Sequence, residues 1–298
     1  MLIGALFGFG AAFCNAVGYF FGADFLRRYN SPLRLLLAAN IGMMVFSAPF
    51  VYWLYPGKID APGRFAALLA AWVVCFMLGN LCFFVTQKYI EPSRLASLLG
   101  LKIVILMLIF ALYSGQIPNF RQGLAAVTAA AAAMLMNWRR AGRVTWAGAG
   151  FLVLTLVFYC LCDINETIMV QHLKQGGTSV LRSALFVTTL AYAILGAVSL
   201  PGIFVLKLSR PQLVGGMPYA ALWLVSQALL LTCFGFIAPV FGNIILSTRG
   251  IFSVLLGWVL MRCGAKLDAD LPASQWIQRA AAALLMIGAV ALYASASS

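Results

Sequence analysis

The chain has 298 residues, of which 63% are hydrophobic and 9% charged, and its formal net charge is +13. A mean hydropathy of +0.99 with so little charge excludes an ordinary water-soluble domain. The positive charge does not point to nucleic acid, because Lys and Arg are spread along the edges of apolar runs and form no single patch.

Apolar runs of roughly 18 or more residues read as transmembrane helices. Ten such runs are predicted, over 2–23, 32–54, 65–86, 93–113, 121–138, 146–170, 180–206, 217–237, 240–261 and 275–295. They are too long and too evenly apolar for barrel strands, which alternate, and a backbone in hydrocarbon must satisfy its amides within its own segment. The expected fold is an all-α polytopic membrane protein with short loops. The first run has no Lys or Arg before Gly4 and is interrupted by Asn15, so it reads as a span and not as a signal peptide.

Along the chain the spans carry few polar groups: Asn15 in the first, Asn40 in the second, Asn80 in the third and Lys102 in the fourth. The sixth carries Asp163, Glu166 and Thr167, with His172 at its end, and the eighth carries Gln227. The ninth carries Asn243 and Arg249. Aromatic residues Tyr19, Trp72, Phe76, Tyr192 and Trp223 are further candidates for lining a pocket. The fifth and tenth spans are dense in alanine, from Ala125 to Ala133 and from Ala280 to Ala291, which lets helices approach closely. Packing within the chain and formation of a homodimer are both open uses for those faces. The cysteines, Cys14, Cys75, Cys82, Cys160, Cys162, Cys233 and Cys263, form no CxxC or Cys/His cluster. They read as small packing residues, with no metal or cofactor expected.

The most basic connector, 137–143, divides the chain into two sets of five spans, 1–140 and 141–298. Five is odd, so two equivalent halves must run in opposite senses through the membrane, as in an inverted repeat. A shift of 148 places lays Asn15 on Asp163, Cys14 on Cys162 and Leu101 on Arg249, one residue from Lys102. The turns between the third and fourth spans of each half also correspond, Tyr89-Ile90-Glu91-Pro92-Ser93-Arg94 and Phe236-Ile237-Ala238-Pro239-Val240-Phe241-Gly242. Proline suits a first helical turn, whose amide needs no partner. With an outside N-terminus, 13 Lys and Arg residues near span ends fall on the cytoplasmic side and 5 on the other. The positive-inside rule therefore places both termini outside.

Lys102 and Arg249 lie on the order of 13–16 Å along their spans, near the centre of a ~30 Å hydrocarbon core. A charge there costs at least ~2.5–3.5 kcal/mol, so it faces a bundle interior or a water-filled cavity. Two readings follow: an internal ion pair, or cations that bind an anionic solute such as a carboxylate or phosphate. Asp163 and Glu166, three apart on one helix face, are the available acids. They admit three roles: counter-ion to Lys102 or Arg249, proton site, or contact for a substrate amine. Asn15, Asn80 and Asn243 complete the expected substrate-binding set.

The strings Glu91-Pro92-Ser93-Arg94-Leu95-Ala96-Ser97-Leu98-Leu99 and Ile245-Leu246-Ser247-Thr248-Arg249-Gly250-Ile251-Phe252-Ser253 resemble the EamA-type drug/metabolite transporter superfamily, as do Phe120-Arg121-Gln122-Gly123 and Trp276-Ile277-Gln278-Arg279. The family's usual fourth-span proline is absent near Lys102, and Gln116 stands where Glu is common. The resemblance implies two inverted five-helix repeats and transport of a small organic, anionic or zwitterionic metabolite. It also implies a multi-pass place in a bacterial cytoplasmic (inner) membrane, with lipids and a metabolite as partners and no nucleic acid. Family members usually keep both termini in the cytoplasm, against the loop charge. Rival readings are a lipid flippase, a scaffold subunit without transport, and an intramembrane enzyme. The last lacks support from HExxH or GxSxG.

Overall fold

The computed structural model describes residues 1–86, 89–90, 98–115, 118–136, 146–262 and 273–296. The connector 137–143, most of the turn around Pro92, and Gln116, Cys263, Lys266 and Ser298 lie outside them, as do Lys88 and Arg94. The side chains of Arg262 and Trp276 are likewise outside.

Every described regular element is helical. In chain order these are α1 (Leu2–Tyr29), α2 (Pro32–Leu54), α3 (Pro62–Thr86), a 3-10 turn (Leu99–Leu101) leading into α4 (Lys102–Ser114), and α5 (Phe120–Met136). There follow α6 (Trp146–Gln175), α7 (Val180–Ser199), the short α8 (Gly202–Leu206), α9 (Arg210–Phe236), α10 (Pro239–Leu246), α11 (Arg249–Arg262) and α12 (Ala273–Ala296). Among the described residues, seven helices are long and apolar enough to cross a membrane, and α4 and α5 contain shorter apolar stretches. The protein is a polytopic all-α membrane protein.

Two of the expected spans are interrupted. The run 180–206 breaks at Leu200-Pro201, because Pro201 has no amide to continue the ladder of α7. The run 240–261 breaks at Ser247-Thr248, where the Thr248 amide reaches only to Ile245 and the Ser247 and Thr248 hydroxyls bond to Asn243 and Ile245 carbonyls. Hydroxyls that cap their own helix compete with the regular pattern. Pro49, by contrast, sits inside an unbroken α2.

The chain folds as two compact units, each drawing on both sides of residue 140: Met1–Val73 with Asn165–Ile237, and Val74–Ile164 with Ala238–Ser298. In the first unit small residues decide which helices meet. The buried residues of α1 run Gly4, Gly8, Ala11, Ala12, Asn15, Ala16, Gly18, Gly22 and Phe25, a stripe at helical spacing. This stripe lies on α9, where a Cβ on Gly22 would stand 3.2 Å from Tyr219 and one on Gly4 3.0 Å from Phe236. The Ser226 hydroxyl crosses the same seam to donate to the Ala11 carbonyl at 2.9 Å. On the other side of α9, Gly216 packs on Ala38 and Gly42 on Ala220, each leaving 2.7 Å for a methyl that is not there. Without a hydrophobic force between helices in lipid, such close backbone packing and interhelical bonds hold the bundle. Asn40 contributes one, donating to Ser199 Oγ at 3.0 Å.

At one edge of this unit Arg182 donates to the carbonyls of Leu54 and Tyr55, at 3.3 and 2.8 Å, closing the carbonyl end of α2. Beside it His172 bonds to the Asp60 carbonyl, and Asp60 pairs with Lys58. His172 is thus a loop tie, in keeping with an interfacial position.

In the second unit the alanine faces of α5 and α12 pack on each other. Ala125, Ala126, Ala129, Ala132, Ala282 and Ala289 have no exposed surface. Gln278 ties the seam by donating to the Leu135 carbonyl at 2.6 Å. Those alanines are therefore used within the chain. All eight residues of α10 are buried, and α10 touches α4, α5 and α12. Phe241 stacks on Tyr293 of α12 with centroids 4.8 Å apart.

Candidate functional site

The local backbone places Lys102 at a junction. Leu99–Leu101 form a single 3-10 turn, and Lys102 is the first residue of the α-helix that follows. Gly100 makes the junction possible by lying against α5, where a Cβ would come within 2.6 Å of Ala133 Cβ and 3.2 Å of the Ala130 carbonyl oxygen. Arg249 occupies a matching position, opening α11 after the Ser247-Thr248 break. Each of these cations therefore opens an α-helical segment directly after a locally tightened turn.

Two side chains of α6 hold the Lys102 junction. Asp163 Oδ2 lies 2.7 Å from Lys102 Nζ, and the Cys160 thiol donates to the Lys102 carbonyl at 3.5 Å. Three residues apart, Cys160 and Asp163 project from one helix face, so one grips the backbone and the other the side chain. From α10, Asn243 donates to the same Asp163 Oδ2 at 2.7 Å. Its amide orientation is fixed, since the same nitrogen donates to the Pro239 carbonyl at 3.0 Å. Pro239 is the first residue of α10, preceded by extended Ile237 and Ala238.

One carboxylate oxygen thus accepts from an ammonium and from an amide, both at short range. Charge-assisted bonds of this kind are the strong ones, and a buried charge needs them. The pair is not wholly enclosed: the Lys102 side chain is 20% exposed and that of Asp163 10%. The ammonium is the more accessible end.

Asn80, on α3, donates to the Phe76 carbonyl at 2.8 Å and accepts from the Tyr159 hydroxyl at 3.2 Å. Asn15 and Glu166 are buried in the first unit, Asn15 on the small-residue stripe of α1 and Glu166 one turn beyond Asp163 on α6. Arg249 is half-buried. Cys160 and Tyr159 were not among the expected site residues. The signal that could have found Cys160 is its position three before Asp163.

Residues 2–138 match the family model described as the EamA-like transporter family. An EamA-like transporter domain occupies that part of the chain. Members of the family are transporters, not enzymes, and among the described residues no group of three or more His, Cys, Asp or Glu is placed to hold a metal. Asn15, Asn80 and Lys102 lie inside the EamA-like domain; Asp163, Glu166, Asn243 and Arg249 follow it. A solved structure described only as the crystal structure of a protein is similar over 97% of this chain and 96% of its own, with a TM-score of 0.68. At 10% identity that likeness speaks to the fold, and it extends beyond the EamA-like domain to nearly the whole chain. No curated protein matches the sequence.

Proposed function

We propose that this protein is a secondary carrier of a small organic anion or zwitterion, working by alternating access of two inverted five-helix repeats, 1–140 and 141–298, with ten spans in all. The observation that carries the reading is the ion pair of Lys102 and Asp163, anchored by Asn243 amid apolar helices. Charges at such depth are costly and mark solute pathways. Lys102 and Arg249 would bind the anionic group, with Asn15, Asn80 and Asn243 as polar contacts and Asp163 and Glu166 as counter-ions. The tightened turns that precede both Lys102 and Arg249 support the repeat, since carriers of this build bind solute where regular helix gives way.

The cytoplasmic membrane of a bacterium is the proposed location, and lipid is the surrounding partner. An apolar groove of about 400 Å³ along α4 and α5, lined by Leu108, Phe120 and Leu124 among others, suits an acyl chain. A homodimer would need a surface other than the alanine faces, which α5 and α12 already occupy.

The test is counterflow in proteoliposomes with a labelled panel of pyruvate, citrate, glutamate and inorganic phosphate. Wild-type protein is expected to exchange at least one of them, and Lys102→Gln and Arg249→Gln to lose that exchange while inserting normally. Unimpaired exchange by both variants, or no exchange of any panel member by wild-type protein, overturns the reading.

A further inference from the structure

Four elements of the first unit bring their ends together. Gly202, which opens α8, packs on α2, where a Cβ would stand 3.0 Å from Leu37 Cδ1. Gly215, near the start of α9, lies against Phe25 and Tyr29 at the close of α1. The last turn of α1, the first turns of α2 and α9, and α8 therefore share one end of the unit. That end carries Arg27, Arg28, Arg34, Lys207 and Arg210, and the acid beside them, Asp24, is engaged by Arg28 at 2.8 Å. Among the described residues Arg27, Arg34, Lys207 and Arg210 make no ion pair. The opposite end of the same unit is different: there Lys58 pairs with Asp60, and Arg182 holds the carbonyls of Leu54 and Tyr55.

Two of these cations stand against the local field. Arg34 and Arg210 lie in the first turns of α2 and α9, neither of which holds an acidic residue. The N-terminal end of a helix carries partial positive charge, so it disfavours a cation and favours an anion. Further cations from α1 and α8 add repulsion that a bound anion removes.

Apolar surface accompanies the charge. Pro201 ends α7, and α8 then exposes Phe204 by 83% and Val205 by 78% before Lys207, at φ 48°, turns the chain towards α9. Leu33, beside Arg34, is exposed as well. A soluble anion would use the charges and leave this apolar surface uncovered. A phospholipid with an anionic headgroup uses both, because basic side chains at a membrane edge attract its phosphate while neighbouring apolar side chains meet its hydrocarbon.

We propose that this end of the first unit binds an individual anionic phospholipid, with its phosphate among Arg34, Lys207 and Arg210 and an acyl chain against Phe204 and Val205. The site is independent of the carried solute.

The test takes purified full-length protein in detergent and adds phosphatidylglycerol, phosphatidylcholine with the same acyl chains, or glycerol 3-phosphate. Phosphatidylglycerol is expected to raise the melting temperature by several degrees more than phosphatidylcholine does, and glycerol 3-phosphate, which has the charge without the chains, to leave it unchanged. Arg34→Gln/Lys207→Gln/Arg210→Gln should lose that excess, whereas the charge-preserving Arg34→Lys/Lys207→Arg/Arg210→Lys and the opposite-end Lys58→Gln/Lys174→Gln should keep it. In native mass spectrometry of the wild-type protein, the phosphatidylglycerol adduct should survive activation that strips phosphatidylcholine, and Lys207→Gln alone, a change at an exposed residue, should weaken it.

Equal shifts with the two phospholipids overturn the proposal, as does an excess that the triple Gln variant retains. Adducts of the two lipids that are stripped alike overturn it without recourse to any variant. A shift with glycerol 3-phosphate as large as that with phosphatidylglycerol makes the occupant a soluble anion and overturns the lipid site.

Discussion

The ammonium of Lys102 and the carboxylate of Asp163 meet at 2.7 Å where a 3-10 turn gives way to α4. The contact joins a charge to the residue on which the path of the chain depends, because Cys160, on the same face of α6, holds the Lys102 carbonyl as well. Pairing and backbone geometry are therefore expected to fail together.

Removing one member of a buried ion pair strands the other and typically costs ~3–5 kcal/mol, whereas replacing both can be nearly neutral. Asp163→Asn is accordingly expected to lower the melting temperature in detergent clearly, and Lys102→Met in the same chain to recover much of the loss without restoring transport. Strictly additive losses in the double variant would show that the two side chains are not energetically coupled.

Asn243 separates the effect of a lost bond from that of an added charge. Asn243→Leu removes the donor to Asp163 Oδ2 and is expected to cost ~1–3 kcal/mol. Asn243→Asp places a second carboxylate there and should be less stable still at neutral pH. Like-charge repulsion is relieved when either acid protonates, so the Asp variant should regain stability relative to the Leu variant as pH falls. Melting curves across pH decide this, and parallel curves for the two variants would contradict it.

Gly100 tests the packing that makes the junction. A methyl at this position meets Ala133 Cβ at 2.6 Å, so Gly100→Ala is expected to destabilise by ~1–3 kcal/mol through overpacking. Ala133→Gly alone lowers helix propensity by ~1 kcal/mol. Combined with Gly100→Ala it should return stability, and a double variant less stable than both singles would place the strain elsewhere.

A reporter fused after the last residue is expected on the non-cytoplasmic side, because with the proposed ten spans and outside termini 13 of the 18 Lys and Arg residues near span ends fall on the opposite face. A cytoplasmic signal would show that the architecture common in the EamA-type superfamily overrides loop charge.

The sequence by itself determined that this is a helical membrane protein, because the cost of an unsatisfied amide in hydrocarbon leaves a long apolar run one practical choice of structure. It also singled out Lys102 and Asp163, since a charged group in such a run is expensive wherever it points. The small-residue stripe of α1 and the alanines of α5 and α12 were readable as close-packing faces, but not the helix that each would meet. Tertiary structure alone decided those partners, because in lipid a helix is as apolar as its surroundings and choice rests on shape. It also decided which cation Asp163 pairs with. Spacing shows that Cys160 and Asp163 share a face of α6, but not that this face meets the start of α4, nor that Asn243 arrives from α10 at the same oxygen. The tightened turns before Lys102 and Arg249 were hidden for a related reason. Hydropathy averages over a window longer than a turn, whereas a helix breaks where individual hydroxyls, glycines and carbonyls find better partners than the next residue in line.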